Sequence, residues 1–203
     1  MIVIALTGNI ASGKTTVARI FEEFDIPVFN SDLAGRKAEE DPIVRQQFLD
    51  VVGYDIIVDG VLDRNKMRER VFGDKDLLSK VNAIMTPYIH NKFKEYLSQK
   101  EAEGYNLVMI ESAIIFELNL EKNFDYVISV IADKMTRAKR AMYRDEINLD
   151  MVLKKMDSQL SDDEKILRSD FVIINEHMPF INHMELLRKQ VNTILDVISL
   201  SNS

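Results

Sequence analysis

Near the N-terminus, Gly8-Asn9-Ile10-Ala11-Ser12-Gly13-Lys14-Thr15 sets two glycines, a lysine and a hydroxyl at the spacing of a phosphate-binding loop. Gly8 and Gly13 let the backbone turn and come close to oxygens. The amides of the loop and of the helix that follows face an anion, and Lys14 adds a mobile positive charge. The Thr15 hydroxyl can ligate Mg2+, while Thr16 can hydrogen-bond a phosphate. A chance glycine turn is the alternative, but the motif follows an apolar run, Ile2 to Leu6, and precedes a segment of helical pattern. Motif and context together indicate nucleotide binding and leave the second substrate open.

Further polar residues fall where such a loop could use them. Asp32 stands just beyond a second apolar run, Pro27 to Phe29, where it would face the loop across the strand ends and accept a proton from an attacking hydroxyl. Equally, Ser31 or Asp32 could cap the next helix. Arg36, one turn later, could hold an acceptor phosphate or orient Asp32, or form a surface ion pair. Glu111 ends a third run from Leu107 and could hold a magnesium-bound water, or pair with a nearby cation. In the segment from Lys134 to Arg144, Met135, Ala138 and Met142 mark a packing face, with Arg137, Arg140 and Arg144 opposite. Such a stripe is either a solvated face or a phosphate clamp. His90, His177 and His183 have no zinc spacing, and the ten Met are expected as core filler in helices.

The elements that must position these residues are strands at Ile2 to Leu6, Pro27 to Phe29, Leu107 to Ile110, Tyr126 to Ile131 and Phe171 to Ile174, separated by helical pattern. Their near-continuous apolar character suits a parallel sheet covered on both faces, with ligands at the carboxyl ends of its strands. The long interval between the second and third runs shows no convincing strand and predicts a helical insertion at 33–105. Within it Asp59-Gly60 marks a turn, Asp74 a helix cap and Pro87 the start of a helix running toward Gly104. A second insertion at 132–167 should be an exposed lid: a basic helix, a turn near Asn148, another helix, and a capping box from Ser161 to Glu164. Phe180 to Leu200 reads as a packing helix.

Composition bounds the partners. The 203 residues carry a formal net charge of −7, which disfavours nucleic acid and anionic membranes, so an anionic ligand must be held by local groups. With no Cys there is no disulfide framework or thiol nucleophile, which fits a cytoplasmic protein. Leu107 to Phe116, the most apolar later stretch, falls well short of the ~20 residues of a membrane helix. No obligate protein partner is evident.

Beyond the loop the chain resembles the dephospho-coenzyme A kinases from Ile2 to about Asn175. The blocks that carry the likeness, in the family's order, begin with Ala5-Leu6-Thr7-Gly8 and the loop, Pro27-Val28-Phe29-Asn30-Ser31-Asp32 with Arg36, and Asp59-Gly60-Val61-Leu62-Asp63-Arg64. Arg68-Glu69-Arg70-Val71-Phe72, Pro87-Tyr88-Ile89 and Ile114-Ile115-Phe116-Glu117 continue it, then Arg140 with Arg144-Asp145, Gln159 and Val172-Ile173-Ile174-Asn175. The chain departs from the family at Asn9 and Ala11, where glycines are usual, at Asn30 in place of an Asp, at Thr86 in place of a His, at Ala113 in place of a Pro, and in a shortened segment after Arg36.

The resemblance implies an α/β, three-layer P-loop NTPase fold with a helical acceptor-binding insertion and a helical lid, forming one kinase unit over 1–203. It implies transfer of the ATP γ-phosphoryl group to the ribose 3′-hydroxyl of dephospho-CoA, with Mg2+. Residues Gly8 to Thr16, Arg140 and Asn175 are then expected on ATP, Asp32 and Arg36 on the acceptor, and Thr15 and Glu111 on the metal. Lys14, Asp32, Arg140 and Arg144 would carry the chemistry, with Asn175 on the nucleotide-base side or capping a turn. A nucleoside or nucleotide kinase of the same fold, or an ATP-binding regulatory module without transfer chemistry, are the alternatives.

Overall fold

The structure, a computed structural model, describes residues 1–58, 60–71, 74–176 and 182–201, without the side chains of Arg64, Asn65 and Arg68. Asp59 of the predicted turn, Phe72, His177 and the predicted helix start at Phe180 lie outside the described residues.

In chain order the elements begin with β1 (Ile2–Thr7), α1 (Lys14–Glu23), β2 (Val28–Asn30), α2 (Ser31–Ala38) and α3 (Pro42–Val52). Then come β3 (Ile57–Val58), β4 (Val61–Leu62), α4 (Arg64–Val71), α5 (Lys75–Ala102), β5 (Leu107–Glu111) and β6 (Tyr126–Ile131). The chain ends with α6 (Lys134–Asp145), α7 (Leu149–Asp157), α8 (Asp162–Arg168), β7 (Phe171–Ile174) and α9 (His183–Ser201). Two compact units result, Met1–Phe29 with Lys100–Ser203, and Asn30–Gln99.

The first unit is built on a five-stranded sheet of order β2-β5-β1-β6-β7. Strand β1 lies in the middle, parallel to β5 (Leu6 opposite Glu111) and to β6 (Thr7 opposite Ser129), and β6 is parallel to β7. A parallel strand buried on both faces does not alternate polar and apolar residues, which is why β1 and β6 read as nearly continuous apolar runs, broken only by Ser129 in β6 and Thr7 at the end of β1. Ile4, Leu6, Ile128 and Val130 are fully buried with Phe21 of α1 and Leu187 and Val191 of α9. A smaller cluster joins Ala138 and Ala141 of α6 to Val152 and Met156 of α7, with Ile10 and Ala11 packed against it. The chain is thus an α/β protein whose mostly parallel sheet is flanked by helices.

The second unit has its own core, centred on Phe48, Val52 and Ile56, with Ala38, Val44 and Val81. Two features differ from the sequence reading. Strands β3 and β4 pair antiparallel as a hairpin, Val58 opposite Val61, where no strand was expected; two residues per strand are too few to show a period. Pro87 does not start a helix but sits inside the 28-residue α5. A proline removes one intrahelical hydrogen bond. Here Val81, Ile84, Met85 and Tyr88, on both sides of it, share one core, so packing holds the two halves in line. The expected caps at Asp74 and Ser161 do form, their side chains accepting from the Leu77 and Glu164 amides, and at the expected turn Asn148 caps α7 by accepting from Met151 N.

Candidate active site at the phosphate-binding loop

Strand β1 ends at Thr7, and the chain turns at Gly8, whose φ of 145° is open to glycine. A β-carbon there would come within 2.4 Å of the Val130 carbonyl oxygen, so the turn depends on its absence. Ser12 N donates to the Asn9 carbonyl at 3.1 Å, and Gly13, left-handed at φ 94°, leads into α1. Gly13 has no side chain to cap α1 and no acid lies in the first turn. The positive end of the helix is therefore left without a side-chain cap or a neighbouring acid, the arrangement that attracts phosphate.

Lys14 folds back over this loop, its Nζ donating to the Gly8 carbonyl at 2.8 Å. Thr15 is exposed, and its Oγ1 donates at 2.7 Å to Oε1 of Glu111, which is buried at the end of β5. Two hard oxygens, one from the loop and one from the neighbouring strand, fit a Mg2+ that takes most of its ligands from phosphate and water. Among the described residues no cluster of three His, Cys, Asp or Glu offers a protein cage for a metal.

Behind the loop, Asn175 Nδ2 donates to the Ser12 carbonyl at 2.6 Å, and a β-carbon on Gly13 would lie 1.9 Å from that nitrogen. Asn175 thus buttresses the loop with its amide. Its main-chain carbonyl accepts from Arg140 Nη2 at 3.1 Å, which ties α6 to the same corner. Arg140 Nη1, Thr7 Oγ1, Ser12 Oγ, Asn9 Oδ1 and Asn175 Oδ1 are buried with no hydrogen-bond partner among the described residues. Buried polar atoms are rarely left so, and their concentration around one loop marks a place built for polar contacts.

The arginines of α6 divide differently from the predicted stripe. Met135 is half exposed, whereas Arg137 is buried, its Nε on the Ala132 carbonyl at 2.9 Å and its Nη2 on Asp162 at 2.5 Å. Helical spacing placed Arg137 outside; a carboxylate from α8 draws it in. Arg144 is bidentate on its neighbour Asp145, at 2.7 and 3.0 Å, whereas Arg140 bonds the Asn175 carbonyl.

Not every charge of the segment 132–167 is exposed. Lys165 is fully buried, paired with Glu117 at 2.7 Å and donating to the Ala113 carbonyl at 3.2 Å. Arg168 bonds Glu121 at 2.5 Å and lies over the Phe116 ring. Burial alone would raise the Glu121 carboxyl, but the Arg168 hydrogen bond and charge carry it below its ordinary value. These contacts fasten α8 to the loop after β5. Losing one partner of a buried pair such as Lys165–Glu117 typically costs about 3–5 kcal/mol.

In the other compact unit, Asn30 and not Ser31 or Asp32 caps α2, its Oδ1 accepting from Leu33 N at 2.8 Å. Asp32, in the first turn, is left exposed, with Arg36 exposed one turn on. The capping alternative for Asp32 falls away. Residues missed by the sequence reading are Leu160 and Asp162, which bind Asn9 over separations of 151 and 153 residues and so leave no local signal.

A family model described as dephospho-CoA kinase matches residues 2–179. A dephospho-CoA kinase from Bacteroides fragilis (strain YCH46) is 33% identical over 174 residues, 85% of this chain and 84% of that protein. One from Fusobacterium nucleatum is 32% identical over 199 residues, covering 98% of this chain and 99% of its own. The crystal structure of TT1252 from Thermus thermophilus superposes with a TM-score of 0.83 at 28% identity, covering 96% of each chain.

Proposed function

The chain belongs to the dephospho-CoA kinase family, and we propose that it works by direct, in-line transfer of the ATP γ-phosphoryl group to the ribose 3′-hydroxyl of dephospho-CoA. The observation that carries this mechanism is the loop itself: an uncapped helix N-terminus with Lys14 folded across it and Thr15 bonded to a strand-end carboxylate. Phosphoryl transfer asks a protein chiefly for positioning and for charge around the moving group, and this corner supplies both.

In the proposed reaction the Gly8 to Thr16 loop holds the ATP phosphates through amides other than those of Ile10, Ser12 and Thr16, which donate within the protein, and Lys14 exchanges the Gly8 carbonyl for phosphate oxygen. Arg140, with one buried guanidinium nitrogen lacking a partner among the described residues, adds a donor to the transferring group. Arg144 would join it when the 132–167 segment acts as a lid, giving up its bond to Asp145. Asp32 accepts the hydroxyl proton as the oxygen attacks, and Arg36 holds the acceptor, whose pocket the 33–105 insertion supplies. Asn175 serves ATP by fixing the loop. Thr15 and Glu111 would hold Mg2+ directly or through water. When bound, Mg2+ neutralises charge on the β- and γ-phosphates. No covalent enzyme intermediate forms. Among the described residues no helix is long and apolar enough to cross a membrane; a cytoplasmic location is part of the proposal, in keeping with a chain without cysteine.

The test is incubation of the purified protein with magnesium-ATP and a panel of dephospho-CoA, adenosine and nucleoside monophosphates, with products identified by mass. CoA is the expected product. A phosphorylated nucleoside or nucleotide, with dephospho-CoA untouched, would overturn the assignment of the acceptor, and ATP binding without any product would overturn the transfer chemistry.

A further inference from the structure

Asn9 occupies a loop position where the family resemblance leads one to expect glycine, and it is 3% exposed. Both of its amide hydrogens are used: Nδ2 donates to the Leu160 carbonyl at 3.0 Å and to Asp162 Oδ1 at 2.8 Å. The other Asp162 oxygen takes Arg137 Nη2 at 2.5 Å, and Arg137 Nε donates to the Ala132 carbonyl just past β6. One residue on, Ile10 N donates to Gln159 Oε1 at 2.8 Å. Ile10 and Ala11 then pack on the α6–α7 cluster. The front half of the loop is thus fastened to the α7–α8 connection by a run of side chains that a glycine could not begin.

We propose that Asn9 is a positioning residue that latches the phosphate-binding loop to the α7–α8 connection and holds it in its phosphate-binding shape before nucleotide arrives. The inference rests on reading this loop as the ATP site. The physical need is visible one residue pair away. Ala11 sits at φ 57°, a left-handed conformation that an alanine leaves when it is free to do so, and such conformations persist where the surroundings over-determine them. Asn9 and Gln159 supply that determination from outside the loop. A loop held in its binding shape does not have to be ordered by ATP, and the intrinsic affinity is expressed in full. The chemistry also fixes the residue type. Asp162, already committed to Arg137, and a main-chain carbonyl both demand a donor, so an amide fits where a carboxylate would meet two acceptors.

The experiment uses the full chain, with ATP binding measured by calorimetry and steady-state rates measured in parallel. Asn9→Gly should weaken ATP binding roughly 10-fold, as expected for two lost hydrogen bonds, with the loss falling on KM for ATP more than on kcat. Asn9→Asp keeps the shape and removes the donors, and should lose more than Asn9→Gly. In hydrogen exchange on the nucleotide-free protein, the loop amides of Asn9→Gly should exchange faster than wild type, and the difference should close when ATP is bound. If both variants fold and bind ATP within twofold of wild type, or if Asn9→Asp matches wild type while Asn9→Gly does not, the latch is overturned. A wild-type chain that does not bind ATP at all would instead overturn the reading of the loop on which the latch rests.

Discussion

Thr15 Oγ1 and Glu111 Oε1 lie 2.7 Å apart, joining the start of α1 to the end of β5 across a separation of 96 residues. In the proposed mechanism this hydroxyl and carboxylate would hold Mg2+, directly or through water. Removal of divalent metal with a chelator should therefore abolish transfer. Thr15→Ala should raise the Mg2+ concentration needed for half-maximal activity, and Glu111→Gln should do so by a smaller factor. Titrating Mg2+ at fixed ATP checks both. An unchanged metal requirement in Thr15→Ala would remove the residue from the metal's surroundings.

In the proposed mechanism Lys14 carries the charge that the loop amides cannot. Its Nζ rests on the Gly8 carbonyl, which the proposal has it exchange for a phosphate oxygen. Lys14→Ala should leave the melting temperature near wild type and lower kcat more than it weakens acceptor binding, because the contact strengthens as charge develops in transfer. Single-turnover rates set beside dephospho-CoA affinity give the split. Near-wild-type turnover would exclude the lysine from the mechanism.

Much of the frame was legible in the sequence because its signals are local. Strands β5 and β6 flank β1 in parallel register and β7 is parallel to β6, so each reads as a mostly apolar run, and the Asp74 and Ser161 caps act within three residues of themselves. What escaped depends on partners distant in sequence. Arg137 looked exposed because its carboxylate, Asp162, is 25 residues away. Asn30 took the capping role that Ser31 and Asp32 were equally suited to by type. Pro87 looked like a helix start because only the packing of Val81 and Tyr88 into one core shows that α5 runs through it. In the site, the loop was legible from spacing alone, while the Thr15–Glu111, Asn9–Asp162 and Asn175–Ser12 contacts that hold it together were not.

The backbone of the loop makes two opposite demands that single substitutions separate. At position 11 a left-handed φ is occupied by alanine, so Ala11→Gly relieves local strain and gives up only a methyl and some unfolded-state entropy. The net change should be stabilising, at most about 1 kcal/mol, which for a chain of this size corresponds to a rise of roughly 2–4 °C. At position 13 a β-carbon would lie 1.9 Å from Asn175 Nδ2, so Gly13→Ala must displace Asn175 from the Ser12 carbonyl. It should lower the melting temperature and weaken ATP binding together. Thermal melts with and without ATP decide both; a destabilised Ala11→Gly would mean that packing of the methyl on the α6–α7 cluster outweighs the strain.

Asp32 is the residue on which the proposed transfer chemistry is most exposed to refutation. Because Asn30 already accepts the Leu33 amide, Asp32 is not needed to cap α2, and its carboxylate is exposed in the first turn of that helix. There it gains some favour from the positive end of the helix, an effect of about 0.3–1 kcal/mol at most for an exposed group. Asp32→Asn keeps size and shape, so folding should move by no more than that, and ATP affinity should hold. If Asp32 takes the hydroxyl proton, turnover at saturating dephospho-CoA should fall roughly 100-fold or more, the usual scale for loss of a general base. Nucleotide affinity and melting temperature measured on the same preparation separate loss of chemistry from loss of fold. Turnover within a few-fold of wild type would show that the acceptor's proton leaves by another route and that the first turn of α2 contributes only structure.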